Sequence, residues 1–363
     1  RLQSLYMYRD FDNGNNNHAT SLGVKLDYLS PEFAGFSAGF SYIGVGVVDD
    51  MEGGHNRGDR LLSNGRVNVL NELYLSYKME DLGLSETVAT VGRRVYSGEI
   101  FRPDDFRQKP RAVEGVSLES RDLSHTRVQV GFAREMSNWL DAGDQWRFDN
   151  FDAYDTDGVA WFEAVNNSIE NLEVAVFDAY MDDVSNLAGA RGRYQFAEKT
   201  ALLGYVRCEN DVSGHAGQDA KVLGLSLEQK VGPVTLEGGY FGVFGDNLVF
   251  EERTTGINHA LGSLMLIYAL PFSGDTDTVY LKATTKIEKT KTAFYALYHY
   301  TVPDEQKYNI RQSQELNVMV RQVVPTVDNL SVHLKMGVGT RDGVDGVSDT
   351  VATDLRVFAT YVF

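Results

Sequence analysis

The stretch from Asp219 to Val243 reads DAKVLGLSLEQKVGPVTLEGGYFGV, and its pattern decides the fold. Leu223, Leu225 and Leu227 alternate with Gly224, Ser226 and Glu228, the period of two that a strand with one apolar face imposes. Gly232 and Pro233 then form a short connection into a second run of the same kind. The unit is an antiparallel hairpin with an apolar face and a polar one.

Working outward, the same alternation recurs along the whole chain. Leu22, Val24, Leu26 and Tyr28 alternate with Ser21, Gly23, Lys25 and Asp27, and Leu73, Leu75 and Tyr77 with Glu72, Tyr74 and Ser76. The pattern predicts strands over residues 1–10, 18–29, 36–48, 67–78, 86–96, 111–120, 125–136, 158–168 and 172–182. Further strands follow over 187–196, 199–209, 219–230, 233–243, 278–288, 291–302, 312–324, 329–340 and 350–363, eighteen in all. Short connections such as 30–35, 198–199 and 290–291 occupy one end of each hairpin, and long acidic, glycine-rich ones (49–66, 97–110, 139–157, 244–277) the other. An even count with this asymmetry is what a transmembrane up-and-down barrel with both termini in one compartment requires. Ala260 to Leu270 is apolar enough for a further strand, but that strand would make the count odd, so it is placed inside the seventh outer loop.

Composition agrees with a barrel. Glycine (35), tyrosine (19) and phenylalanine (19) are plentiful and proline is scarce at 7, a mix that favours strands. Mean hydropathy is only −0.27, as expected when alternate residues alone meet lipid. The longest apolar runs, around Leu264 to Leu270, fall far short of the roughly 20 residues of a spanning helix, so any membrane crossing is made by strands. The final run, Leu355, Val357, Ala359, Tyr361, Phe363, is apolar at every second residue and ends on an aromatic, as outer-membrane barrel chains do. Arg1 already lies in a strand pattern with no signal peptide ahead of it, as in a processed mature chain or a trimmed one. The whole, residues 1–363, reads as one barrel domain.

A net charge of −17 without a basic run argues against a nucleic-acid partner. Cys208 is the sole cysteine, which excludes an internal disulfide, a cysteine zinc site and covalent haem attachment. The GxSxG match at Gly35 to Gly39 starts a strand, whereas a nucleophile elbow needs a strand, a sharp turn and a helix. The seven histidines are scattered singly, without metal-ligand spacing. Asp149, Asp152, Asp155 and Asp157 form an acidic loop cluster lacking a complete calcium pattern, with Asp152, Asp155 and Asp157 the weak Ca²⁺ candidates against a solvated loop. No cofactor is expected.

On the polar faces, Arg127, Arg191, Arg193, Lys282, Lys286, Arg321, Lys335 and Arg356 point to the lumen or the rim, because a charge at mid-depth on the lipid face costs about 2–4 kcal/mol. Two readings stay open: a basic ladder handing a carboxylate from one guanidinium to the next, or cations paired with lumen carboxylates such as Glu119, Glu228 and Glu237. The connection between strands 5 and 6 is dense in charge. Arg102, Asp104, Asp105 and Arg107 within it, with Glu99, Lys109, Arg111 and Glu114 around them, fit either a transverse field across an eyelet or a loop lying flat on its own ion pairs.

Val91-Gly92-Arg93-Arg94, then Pro103-Asp104-Asp105 with Arg107 and Pro110, then Glu114-Gly115-Val116-Ser117-Leu118-Glu119-Ser120, resembles the strand, third outer loop and strand of OprD-type outer-membrane porins. Tyr6-Met7-Tyr8-Arg9-Asp10-Phe11 is similar to that family's first strand. The resemblance implies an eighteen-stranded barrel in the bacterial outer membrane and a third outer loop folded inward to narrow the pore, with Arg102, Asp104, Asp105 and Arg107 at the constriction. It also implies basic wall residues that guide anionic solutes.

The expectation is a passive channel, not an enzyme, for small hydrophilic solutes with a preference for anions or carboxylates, seated in outer-membrane lipid as a monomer or homotrimer. Two other classes remain. A barrel sheath enclosing an electron-carrier protein would need outer loops that do not constrict, and a membrane-surface barrel hydrolase would need a Ser/His or Asp/His constellation at a rim, which is not apparent.

Overall fold

A computed structural model describes residues 1–11, 15–51, 66–103, 108–137, 156–212, 219–250, 261 and 267–363. The first nine strands are β1 (Leu2–Phe11), β2 (Asn15–Leu29), β3 (Phe36–Met51), β4 (Arg66–Lys78), β5 (Thr87–Arg94), β6 (Ala112–Ser120), β7 (Thr126–Ser137), β8 (Val159–Ile169) and β9 (Leu172–Met181). They are followed by β10 (Ser185–Ala197), β11 (Thr200–Asp211), β12 (Ala220–Val231), β13 (Val234–Gly245), β14 (Thr276–Ile287), β15 (Thr292–Pro303), β16 (Ile310–Val323), β17 (Leu330–Gly343) and β18 (Thr350–Tyr361). All belong to one antiparallel sheet of 18 strands. It closes where β1 pairs with β18, Leu2 opposite Tyr361 and Phe11 opposite Ala352. Closure leaves no edge, so every strand has a partner on both sides.

The expected strand count and order hold, and the differences are at strand ends. β3 continues to Met51 and β17 to Gly343, since backbone pairing carries on beyond the side-chain alternation. β5 stops at Arg94, and the Val95 N–H donates to the Glu72 carboxylate at 3.1 Å where a ladder bond would otherwise continue. Ile267 and Tyr268 lie outside any strand and Leu270–Phe272 is a single 3₁₀ turn, so these parts of the long connection before β14 are irregular, as parity requires. Residues 260 and 262–266 of that apolar segment lie outside the described residues.

Side-chain exposure follows the alternation. On β12, Leu223, Leu225 and Leu227 are 44, 53 and 48% exposed on the outside, whereas Val222 and Ser226 are buried on the inside. Exposed apolar side chains of this kind cover the outer face all round, as a barrel in a bilayer requires. Towards the outer rim, tyrosines on the same face find polar partners: Tyr42 donates to Asn68 at 2.5 Å, Tyr298 to Gln314 at 2.7 Å, and Tyr240 to Asp277. Such amphipathic rings suit the boundary between hydrocarbon and headgroups. At the other end, Gly232 at φ 58° and Pro233 make the reversal between β12 and β13, with Val231 opposite Val234. A hairpin with Gly first and Pro second joins the strands without splaying them.

The hydrophobic core lies inside the barrel. Inner-face residues Trp161, Phe177, Tyr205, Val222 and Phe241 pack with Tyr96, Ile100 and Phe101 from the connection between β5 and β6, and with Leu248, Val249, Phe250 and Phe272 from that between β13 and β14. Trp161 meets Tyr96 edge-on at 5.4 Å and Phe101 at 5.1 Å. The described parts of two outer loops therefore fold inward and pack in the lumen beside β6–β13.

Candidate permeation site

The third outer loop, residues 95–111 between β5 and β6, is pinned to opposite parts of the wall. On one side the Glu99 N–H donates to Glu163 of β8 at 2.6 Å, and Arg127 of β7 pairs with the same carboxylate at 2.8 Å. Arg191 of β10 pairs with the Glu99 carboxylate at 2.8 Å and with Glu173 of β9 at 3.0 Å. On the other side Gln108 accepts from Ser21 of β2 at 2.5 Å and donates to the Gln3 carbonyl of β1 at 3.0 Å. A loop anchored on β8 and β10 at one limb and on β1 and β2 at the other crosses the lumen.

Two glycines permit the close approach. A Cβ on Gly98 would stand 2.3 Å from a Glu163 carboxylate oxygen, and one on Gly23 would stand 3.1 Å from the Gln108 amide nitrogen. Larger residues would displace both anchors. Lys109 and Arg111, buried in the returning limb, are fixed by Lys109 donating to Ser137 and the Arg111 N–H donating to the Pro103 carbonyl at 2.6 Å.

Arg102 lies on the third loop, in the neighbourhood of Tyr295 of β15. Asp104, Asp105 and Arg107, the rest of the expected constriction, lie outside the described residues. On the wall, Glu237 of β13 accepts from Tyr280 at 2.8 Å and Ser226 at 3.1 Å and pairs with Lys282 at 2.5 Å. Arg193 pairs with Glu228 at 2.7 Å.

The eight expected ladder residues therefore separate into groups. Arg127 and Arg191 lie on the packed side and hold the loop. Arg193 and Lys282 lie on the wall, each on a carboxylate. Arg356 binds Asp354 through two nitrogens, at 3.0 and 2.8 Å, and Asp354 also takes Arg9 at 2.6 Å. Lys335 reaches over the Phe358 ring at 5.3 Å, and Arg321 stands opposite His333 in the β16–β17 register. Lys286 is at the turn after β14, paired with Glu288 at 2.9 Å.

The described parts of the seventh outer loop, residues 246–250, 261 and 267–275, are held against the inner wall. Glu209 of β11 accepts from the Val249 N–H at 2.7 Å and Arg207 donates to the Phe250 carbonyl at 2.6 Å. Five strands further round the barrel, Glu315 of β16 accepts from Ile267 at 3.0 Å and Tyr268 at 3.3 Å. The sequence reading missed Glu72, Glu163, Glu209, Glu315 and Gln108. Their only sequence signal is a long polar side chain at an inward strand position or in the loop, which does not tell a wall filler from a loop anchor.

At the rim, Asp275 sits just before β14, and its carboxyl is held below the usual value by the Gly245 N–H and then by Lys307 at 3.1 Å. Of the calcium candidates, Asp157 is exposed, and Asp152 and Asp155 lie outside the described residues. Among the described residues no group of three His, Cys, Asp or Glu side chains could hold a metal ion.

An eighteen-stranded barrel crossed by its third loop is the architecture of a porin, and the family model described as "outer membrane porin, OprD family" matches residues 1–311. The chain belongs to the OprD family. Like its members it is a passive outer-membrane channel and not an enzyme. Solved OprD-family channels share its fold at low identity. OpdK of Pseudomonas aeruginosa, crystallised with vanillate, superposes with a TM-score of 0.77 at 16% identity, covering 98% of this chain and 96% of that one. OccD3 (OpdP) of the same organism gives 0.76 at 14%, covering 100% and 91%. OccAB4 of Acinetobacter baumannii gives 0.74 at 17%, covering 99% and 97%. A search of curated proteins returned no match.

Proposed function

We propose that this OprD-family porin favours small solutes bearing a carboxylate, and that they pass between the third loop and the wall formed by β13–β18. The observation that carries the reading is the charge on that wall. Among the described residues, the inner face of β13–β18 carries Lys282, Arg321, Lys335, Arg341 and the buried Arg356, against the carboxylates Glu237, Glu315 and Asp354. All three carboxylates are buried and already bonded, Glu237 to Lys282, Tyr280 and Ser226, Glu315 to loop N–H groups and Asp354 to two arginines. A passing anion meets donors there rather than competing acids.

Arg102 adds a cation from the loop side, so a carboxylate in the gap has donors on both flanks. Lys282, Arg321, Lys335 and Arg341 are the steps of the basic wall, and weak binding at several points lets a solute move on. Vanillate, bound in the OpdK crystal, is itself a carboxylate, which agrees with the proposal for this chain. A sheath around a partner protein would need a clear lumen, whereas two loops occupy this one.

Liposome swelling tests the reading with a carboxylate and a neutral sugar of matched size. The carboxylate enters faster through the parent channel, and the double variant Arg102→Gln, Lys282→Gln removes most of that difference. Equal entry of the two solutes through the parent channel contradicts the carboxylate preference.

A further inference from the structure

We infer that four inward-facing wall glutamates, Glu72, Glu163, Glu209 and Glu315, act as backbone anchors that hold the third and seventh outer loops inside the lumen, and so set the width of the channel. The inference concerns the size of the passage, so it stands apart from the carboxylate preference.

The same device occurs on four strands. Glu72 of β4 accepts from the Val95 N–H at 3.1 Å and Glu163 of β8 from the Glu99 N–H at 2.6 Å, both in the third loop. Glu209 of β11 accepts from Val249 at 2.7 Å and Phe250 at 3.4 Å, and Glu315 of β16 from Ile267 at 3.0 Å and Tyr268 at 3.3 Å, all in the seventh. Glu163, Glu209 and Glu315 are each 1% exposed. Other inner-face glutamates bind side chains instead: Glu228 binds Arg193, and Glu119 binds Arg121.

Physical chemistry explains the choice. A loop that leaves the barrel rim and enters the lumen takes its backbone N–H groups away from both water and the strand ladder, and buried N–H groups need acceptors. A carboxylate offers two oxygens and accepts from successive N–H groups, as Glu209 and Glu315 do, with charge-assisted bonds stronger than those to a neutral carbonyl. Because the bonds are to backbone, they hold the loop's path whatever side chains the loop presents to a solute.

Cations complete two of these anchors. Arg127 pairs with Glu163, and Arg207 bonds Glu209 and the Phe250 carbonyl together. Arg127 and Arg207 are then positioning residues, acting on the passage through the loops.

Polymer exclusion in planar bilayers tests this, with graded polyethylene glycols added while single-channel current is recorded. The triple variant Glu163→Ala, Glu209→Ala, Glu315→Ala should admit larger polymers than the parent, with raised conductance and a noisier open level, while heat-modifiable migration on gels shows the barrel still closed. The triple Gln variant, which keeps one acceptor oxygen at each site, should shift in the same direction by less, and it carries the test if the Ala variant does not assemble. Glu119→Ala, which removes a wall carboxylate bonded only to a side chain, should behave as the parent. An unchanged polymer cut-off in the assembled triple variant, or an equal shift in Glu119→Ala, overturns the inference.

Discussion

Arg191 on β10 and Glu99 on the third outer loop are joined by an ion pair of 2.8 Å, with Arg191 largely buried and Glu99 almost wholly so. The pair ties a strand of the wall to a loop that began five strands away. It turns an arginine on the inner face into part of the loop's support.

Arg191→Gln should therefore loosen the loop more than it alters charge preference. A charge-assisted bond of this kind contributes about 1.5–3 kcal/mol, and Glu99→Gln on top of Arg191→Gln should add much less than the sum of the two. Proteolytic cleavage of the loop in detergent-solubilised protein checks this: faster cleavage in either single variant is expected, and strictly additive effects would show that the two side chains act separately.

Gly98 offers a second probe of the same limb. A Cβ there meets the Glu163 carboxylate, so Gly98→Ala should push it off the Glu99 N–H and mimic the loss of Glu163. Gly192, where an added Cβ meets nothing within 4 Å, serves as the comparison, and Gly192→Ala should leave conductance as it is. Conductance noise recorded for both variants distinguishes them.

The aromatic packing inside the barrel supplies stability. Trp161 is 3% exposed and touches both Tyr96 and Phe101 of the loop. Trp161→Ala should cost about 3–5 kcal/mol if the cavity does not collapse. Reversible urea unfolding in lipid vesicles measures it, and a loss below about 1 kcal/mol would mean the loop is not packed as described.

The outer face gives the opposite test. Leu225 is 53% exposed midway along β12 while its neighbour Ser226 is buried on the inside. Leu225→Lys should destabilise the inserted barrel by about 2–4 kcal/mol relative to the parent. The same unfolding equilibrium reads it, and no loss would place Leu225 away from hydrocarbon.

At the rim, Asp275 has its carboxyl lowered from 3.8 by the Gly245 N–H and Lys307. A depressed carboxyl stabilises the fold above the unfolded value and ceases to do so as pH falls through that value and then the lower folded one. Acidification below 3.8 should therefore weaken the attachment of the seventh loop's final segment, and Asp275→Asn should flatten that part of the profile. Hydrogen exchange of the Gly245 amide against pH reports it directly.

Much of this was legible in the sequence. Alternation such as Leu223, Leu225, Leu227 gave each strand its two faces, and loop parity placed Ala260 to Leu270 outside the barrel wall. The third loop's direction came from resemblance, because its charges suit a flat loop as well as an eyelet. What alternation cannot show is which inward residues meet across the lumen. Arg127 and Lys282 look alike in sequence, yet one pairs with the carboxylate that anchors a loop and the other with Glu237 on the neighbouring strand. Glu163 and Glu209 were hidden for the same reason, since their partners are backbone groups far along the chain.

The passage proposed between Arg102 and the basic wall of β14–β18 is expected to favour anions. Single-channel reversal potential in a potassium chloride gradient tests it most directly. A potential of the sign set by chloride is expected, moving towards the potassium side in Arg102→Glu; a cation-selective potential in the parent protein would overturn the anion preference.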